Sequence, residues 1–343
     1  FKAARASTLT LTAPDTLGLT DKLNLKDIIV VGMGNKSAQP SALEMLTVGK
    51  KVIGAMGKDK TAVVLGASKE AVDLADALLR SSYAYDKEKS GLLGDKPNKL
   101  HIDFAVANPK CKEKSFAPRK ITTLASHWAA NLATKPSNRL TPGVYAAKIE
   151  RVLKPLDINI TIISEKSNDI IFGRMGGLRA VGRASMNGYE EDRKPHAVVM
   201  EYDGTGGADV KPVVLIGKGV TFDSGGISLK PGANMGDMKM DMHGSATVVA
   251  TMRALAAMKA PVKVRAVVGL VENMPGATAT KPGDVIKHFN GMTSEIDNTD
   301  AEGRLVLFDC MALAQERWGA DNVAAMVDLA TLTGAIVGAL NKE

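Results

Sequence analysis

Two cysteines in 343 residues, Cys111 and Cys310, exclude a disulfide framework, and neither belongs to a CxxC pair that would hold a metal or shuttle electrons. Both are expected to be plain thiols of a reducing compartment. Aromatic residues make up only 4% of the chain, too few to interleave with basic stretches as base-stacking platforms do. No apolar run approaches the roughly 18–20 residues that cross a bilayer, and mean hydropathy is −0.02. No signal-peptide pattern reads from the opening residues, so no membrane partner is expected. Histidine metal motifs are missing as well. There is no HExxH, and His101, His127, His196 and His288 stand alone, as core or surface residues do. His243, two residues after Asp241, is the exception by position: it reads first as an ordinary core or surface residue, with a hydrogen-bond donor near a site as the alternative. Serine hydrolase chemistry has little support, since no GxSxG elbow is present and Ser224, in FDSGG, has no identifiable base.

What the chain does have is positive charge. Its 44 Lys and Arg against 37 Asp and Glu give +7 and a pI near 9.2, which brings nucleic acid or an anionic surface into consideration. The basic residues gather between Lys87 and Lys120 with acids among them, a pattern that fits a solvated surface better than a polyanion site. The opening FKAARASTLTLTAP is basic, rich in Ser and Thr, and free of acid before Asp15. It is similar to the tail of an organellar transit peptide. The expected location is the cytoplasm, with the mitochondrial matrix as the alternative.

From Lys26 onward, short β-branched runs alternate with amphipathic stretches, the pattern of parallel strands joined by crossover helices. Strands are predicted at Asp27–Val31, Thr61–Leu65 and Ile102–Val106, with a helix from Ser68 to Arg80 between the last two. A Gly-Met-Gly follows the first strand, but the third glycine of a dinucleotide fingerprint is missing and no later acid stands at the expected distance. A helix over Ile121–Thr134 leads into KPSNRLTPG, a linker with a new helix start near Thr141. Further strands are predicted at Asn159–Ile163, His196–Tyr202, Val213–Ile216, Val262–Val271 and Ala324–Leu329. The expectation is an α/β protein: a small N-terminal α/β domain with a connecting helix over 1–135, then a larger α/β domain with a mostly parallel central sheet over 136–343.

Open sheets of this kind place their sites beyond the carboxyl ends of strands. Two loops there concentrate charge among glycines, where buried charge is costly unless paired. The first, VVLIGKGVTFDSGGISLKPG followed by MKMDMHG, holds Lys218, Asp223, Lys230 and Asp241. The second, SEIDNTDAEGRLVLFD, holds Asp300, Glu302 and Arg304 just ahead of an apolar stretch that begins a helix. Three Asp, one Glu and two Lys suit one or two divalent metals; a network of ion pairs and an anion-binding loop are the alternatives. Gly217, Gly219, Gly225 and Gly226 favour a bound ligand, because they let backbone approach it closely at an entropic cost.

VLIGKGVTFDSGGISLKPG, MKMDMHGSA, VENMPGATATKPGDVI and above all NTDAEGRLVLFD together resemble the leucyl aminopeptidase (cytosol aminopeptidase) family of two-metal exopeptidases. NTDAEGRL agrees with the family signature at every position. The likeness runs with decreasing strength from about Pro136 to Leu340, taking in KPSNRLTP and DLATLTGA, while the N-terminal part agrees only in style. The resemblance implies one divalent metal (Mn2+ or Zn2+, with Co2+ or Mg2+ as alternates) held by Lys218, Asp223, Asp241 and Glu302. A second is implied on Asp223, Asp300 and Glu302, with the Asp300 main-chain carbonyl as a further donor. Lys218 would then be a neutral ligand. Lys230 would stay charged and face the substrate carbonyl, and Arg304 would hold a bicarbonate ion as proton shuttle.

The same resemblance implies release of N-terminal amino acids from peptide substrates, with a side-chain pocket at Met238, Thr331, Gly334 and Ala335 suited to leucine- or methionine-sized residues. It implies a homohexamer of two trimers with inward-facing sites. It leaves two other readings: an aminopeptidase-fold nucleic-acid-binding or assembly protein, and a Cys-Gly-type dipeptidase. Family catalytic domains continue well over a hundred residues past DLATLTGA, so the sequence reads as a fragment or as one with segments left out. In the second case, the short stretch Asn35–Met45 is a further candidate for such an omission.

Overall fold

In the computed structural model, the described residues are 8–12, 27–31, 41–56, 61–65, 68–85, 101–105, 112–167, 169–186 and 190–340. The chain divides into two compact units, Phe1–His127 and Trp128–Glu343. In the first, β1 (Thr8–Thr12) pairs antiparallel with β2 (Asp27–Val31). Helix α1 (Ala42–Ala55) starts at a capping box: the Glu44 amide donates to Ser41 Oγ at 3.3 Å, and Glu44 Oε2 accepts from the Ser41 amide at 2.7 Å. Strand β3 (Thr61–Leu65), helix α2 (Ser68–Ser81) and strand β4 (His101–Ala105) follow, and β3 pairs parallel with β4. Val48 and Val52 of α1 pack on Val72, Ala75 and Leu78 of α2, whose three- and four-residue spacing puts them on one buried face of the helix.

Helix α3 (Lys112–Thr134) begins nine residues before the predicted Ile121, in a polar stretch that contains Pro118. Tertiary contact outweighs local propensity here. Phe116 joins the core of the first unit, Arg119 pairs with Asp73, and Thr123 Oγ1 donates to Asp76 at 2.8 Å. Most of the basic stretch from Lys87, and Cys111 with it, lies outside the described residues. Cys310 is a buried free thiol whose pKa burial raises.

The second unit runs α4 (Pro142–Leu153), β5 (Asn159–Ile163), α5 (Asp169–Arg174), α6 (Gly176–Val181), β6 (His196–Asp203), β7 (Val213–Asp223), α7 (His243–Ala257), β8 (Lys263–Asn273), β9 (Val285–Lys287), β10 (Thr293–Glu295), α8 (Gly303–Trp318), β11 (Ala325–Leu329) and α9 (Ala335–Leu340). Pro142 occupies the first turn of α4, where its missing amide hydrogen costs nothing. The five-stranded sheet has the order β11-β7-β8-β6-β5. The α/β expectation holds, and the sheet contains its parallel strands at β11, β7 and β8, with β6 and β5 completing one edge antiparallel. Ile216, Val220, Val267 and Val271 of the central strands pack against Leu178 of α6 and Val306 and Leu313 of α8. Burial of this kind stabilises by roughly 1.5–3 kcal/mol per large apolar side chain.

Strand β7 is seven residues longer than the predicted Val213–Ile216. Gly217 and Gly219 do not interrupt it; they admit close neighbours. A Cβ on Gly217 would lie 2.7 Å from Ser245 Cα of α7, and one on Gly219 would lie 2.4 Å from the Gly269 carbonyl. These two glycines therefore serve packing, not the approach to a ligand expected of them. The antiparallel hairpin β9–β10 has no counterpart among the predicted strands.

Candidate metal centre

The carboxyl ends of β7 and β8 carry the charged residues. Lys218 pairs in register with Gly269, and Val220 with Val271; a bulge then adds one residue to β7, so that Phe222 pairs with Glu272 and Asp223 with Asn273. The bulge decides which face Asp223 takes. Side chains alternate faces along a strand, and Lys218 and Asp223, five residues apart, would otherwise oppose each other. One extra residue restores them to the same face. Beyond Asp223 the chain turns sharply at Gly225 (φ 87°) and Gly226 (φ 69°), left-handed conformations that side-chain-bearing residues adopt only at a cost. The turn returns Lys230 toward the strand end.

Around this end the structure gathers both loops. Oxygens of Asp223, Asp300 and Glu302 all lie within 4.8 Å of one another. Lys218, 2% exposed, places Nζ 2.8 Å from Asp241 Oδ2 and 2.7 Å from Glu302 Oε1, and donates to the Thr331 carbonyl at 3.0 Å. Thr331 Oγ1 donates to Asp241 Oδ1 at 2.7 Å. Asp241 Oδ2, although at ion-pair distance from Lys218, is buried without a hydrogen bond of suitable geometry. Lys230 lies 2.8 Å from Asp223 Oδ2 and also pairs with Asp300.

Four carboxylates and two ammonium groups thus share a site in which Lys218, Asp223, Asp241 and Glu302 are buried while Lys230 and Asp300 are partly exposed. Burial opposes the charge on Lys218, but Asp241 and Glu302 outweigh it and hold its pKa above that of an ordinary lysine. Burial opposes the charge on Lys230 too, and hydrogen bonds to Asp223 and Asp300 again raise its pKa. Asp241 is pushed up to about 7, by burial first, with Lys218 acting in the opposite direction. Glu302 is raised by burial and by the nearby Asp223, again with Lys218 opposing. The carboxylates carry more negative charge than the lysines neutralise, and these are hard oxygen donors. The donor set fits divalent cations.

Several residues that sequence reasoning did not single out hold this arrangement. Asn273 Nδ2 donates to Asp223 Oδ1 at 2.8 Å and to the Thr299 carbonyl at 3.0 Å. Thr299 Oγ1 donates to the Gly225 carbonyl at 2.6 Å and accepts from the Ser228 amide at 2.8 Å. Both lie inside the VENMPG and NTDAEG stretches, so their position was visible while their bonding was not. Thr331, expected in a pocket wall, is bonded into the acidic cluster. Met238 is half-buried, and Gly334 and Ala335 are exposed. A narrow cleft beside Glu302 is lined by other residues, among them Val181, Met274, Ala279, Ile296 and Leu305. Arg304, in the first turn of α8, is exposed and makes no ion pair or hydrogen bond among the described residues. His243 is exposed at the start of α7. His288 is buried and bonded to Asp309 and Ser294, as expected of a core histidine.

Comparison with known proteins shows what the chain as a whole is similar to. The family model described as "Cytosol aminopeptidase family, catalytic domain" matches residues 127–343. A cytosol aminopeptidase of Rickettsia prowazekii (strain Madrid E) is 39% identical in an alignment 332 positions long that covers 92% of this chain and 63% of that protein. A probable cytosol aminopeptidase of Caulobacter vibrioides (strain ATCC 19089 / CIP 103742 / CB 15) is 35% identical over 347 residues, covering 100% of this chain and 67% of the relative. Among solved structures, the bottromycin maturation enzyme BotP in complex with Mn superposes with a TM-score of 0.81 at 30% identity, over 99% of this chain and 70% of that one. The chain spans 51% to 67% of the length of curated relatives it matches.

Proposed function

Because the chain belongs to the cytosol aminopeptidase family, we propose that it carries the metal centre of an aminopeptidase that releases N-terminal amino acids, preferentially leucine or similar apolar residues, from peptides. The observation that carries this reading is the convergence of Asp223, Asp300 and Glu302 within 4.8 Å, interlocked with Lys218 and Lys230. Two divalent ions, Mn2+ or Zn2+, would be held by Lys218, Asp223, Asp241 and Glu302 on one side and by Asp223, Asp300 and Glu302 on the other. The Mn complex of BotP supports the choice of Mn2+. When bound, such ions lower the pKa of water and polarise a carbonyl.

The chain's own residues supply the rest. Asp223 and Glu302, both buried, belong to both donor sets and would serve both ions. Lys218 must give up its proton to serve as a ligand; until then its ammonium is shared between Asp241 and Glu302. Lys230 is half-buried and keeps its charge, so its ammonium would swing from Asp223 and Asp300 to a substrate carbonyl oxygen and stabilise developing negative charge there. Arg304, exposed and without a partner among the described residues, would hold a bicarbonate ion that accepts and returns a proton. Family membership supports extending the proposal to a homohexamer, and the relatives' names support a cytosolic location.

The test is hydrolysis of a leucine-terminated chromogenic amide after chelation and resupply of Mn2+, Zn2+ or Co2+. Activity should vanish with the chelator and return with metal. Near-normal turnover in a Lys230→Ala protein would overturn the role assigned to that residue.

A further inference from the structure

At the end of β8, Asn273 is the register partner of Asp223, and its neutral side chain is bonded to both ligand-bearing segments. Its Nδ2 gives one hydrogen to Asp223 Oδ1 at 2.8 Å and the other to the Thr299 carbonyl at 3.0 Å, one residue before Asp300. Its own main-chain carbonyl accepts from the Ser224 amide at 3.0 Å and from Ser224 Oγ at 2.7 Å. The residue is 4% exposed, and a Cβ on Gly226 would lie 2.8 Å from Asn273 Oδ1. The turn after Asp223 is thus folded tightly against this amide.

Chemistry selects a carboxamide at this point. The two acceptors that face Nδ2, a carboxylate oxygen and a peptide carbonyl, need two donors on one atom, which a terminal amide supplies and a hydroxyl or a carboxylate does not. A cation there would compete with the proposed ions for Asp223. The Asn273 amide, together with the Gly225 amide at 3.0 Å, engages Asp223 Oδ1 and so fixes the rotation of that carboxylate, leaving Oδ2 directed at Lys230. The second hydrogen bond fixes the height of the loop that presents Asp300 and Glu302.

We propose that Asn273 is a positioning residue that sets the spacing between the two ligand loops, so that the donors of both ions are in place before any ion arrives. This rests on the metal-centre reading above. Partners that hold a ligand through hydrogen bonds typically change metal affinity or activity by roughly 10–100-fold when removed, and preorganisation of the donors is what the Asn273 bonds would contribute.

The decisive comparison is Mn2+ affinity by equilibrium dialysis for the full chain and for Asn273→Leu, which keeps the branched side-chain skeleton and removes both donors. The chelator-treated proteins are compared in parallel by circular dichroism and thermal unfolding. Mn2+ binding weakened roughly 10–100-fold, with secondary structure retained and kcat falling more than KM rises, is the expected result. Wild-type Mn2+ affinity in the folded variant would overturn the proposal. Should Asn273→Leu not fold, Asn273→Ala provides the same comparison without the buried methyl groups against polar neighbours. If the unaltered chain itself takes up no Mn2+, the metal-centre reading fails instead, so the two failures are distinguishable.

Discussion

Gly303 has no side chain at the point where Lys218 passes it: a Cβ there would stand 2.8 Å from Lys218 Cε and 2.9 Å from its Nζ. Lys218 cannot simply move aside, because its ammonium is fixed by Asp241, Glu302 and the Thr331 carbonyl in a buried site. Gly303→Ala is therefore expected to cost about 1–3 kcal/mol of stability by overpacking and to displace a proposed ligand. Chemical denaturation and Mn2+ binding check both halves. A variant with wild-type stability and Mn2+ affinity would show that Lys218 has room the structure does not provide.

Lys218→Met tests the electrostatic balance of the same site. Removing one cation leaves Asp241 and Glu302 buried without their shared partner, and breaking a buried pair in this way typically costs about 3–5 kcal/mol. The loss should be seen in chelator-treated protein by denaturant unfolding. A loss below about 1 kcal/mol, the scale of an exposed pair, would contradict the burial and pairing of Lys218 with these two carboxylates.

Arg304 presents the opposite case. An exposed residue without partners among the described residues should contribute little to the fold, so Arg304→Ala is expected to change stability by no more than about 0.5 kcal/mol. Its kcat should nevertheless fall, by about 100-fold or more if Arg304 acts through a held proton acceptor. Unaltered kcat in the amide assay would remove Arg304 from the mechanism.

Away from the centre, Asp309 of α8 is fully buried and accepts from the Leu178 amide at 2.9 Å, the Phe289 amide at 3.0 Å and His288 Nδ1 at 3.2 Å. It fastens α6 and the turn of the β9–β10 hairpin to the helix that begins beside Glu302. Burial raises its pKa, an effect the two amides and His288 reduce. A carboxyl raised in the folded state gives a stabilising contribution that is complete below its unfolded pKa, about 3.9. That contribution is lost as pH rises through the folded value. Asp309→Asn removes the titration and one acceptor, at a cost of about 1–3 kcal/mol. The stability gap between wild type and Asp309→Asn should therefore narrow as pH is raised from about 4 to about 8. A gap that stays constant with pH would contradict the shift.

Much of this was legible in the chain itself, and the misses have physical causes. Strand β3 could be read because TAVVL is an uninterrupted apolar, largely β-branched run, and α2 because its apolar residues recur at helical spacing. The proposed ligand segments could be read because Asp223, Asp300 and Glu302 are charges set among glycines beside apolar strands. What periodicity could not supply was the bulge beside Thr221, which brings Asp223 onto the face of Lys218, since a bulge depends on the partner strand. The early start of α3 was hidden for a similar reason: Phe116, Arg119 and Thr123 stabilise the helix only through contacts with distant residues. Asn273 reads as an ordinary residue after a strand, and its two hydrogen bonds exist only once β7 and β8 are paired.

The most direct test of the central claim is the number of Mn2+ ions bound per chain by chelator-treated protein at saturation, measured for the wild type and for Asp300→Ala. Two ions in the wild type and one in the variant are expected, because Asp300 serves only the second of the proposed positions. Fewer than two in the wild type, or an unchanged count in Asp300→Ala, would contradict the arrangement of ligands on which the proposed function rests.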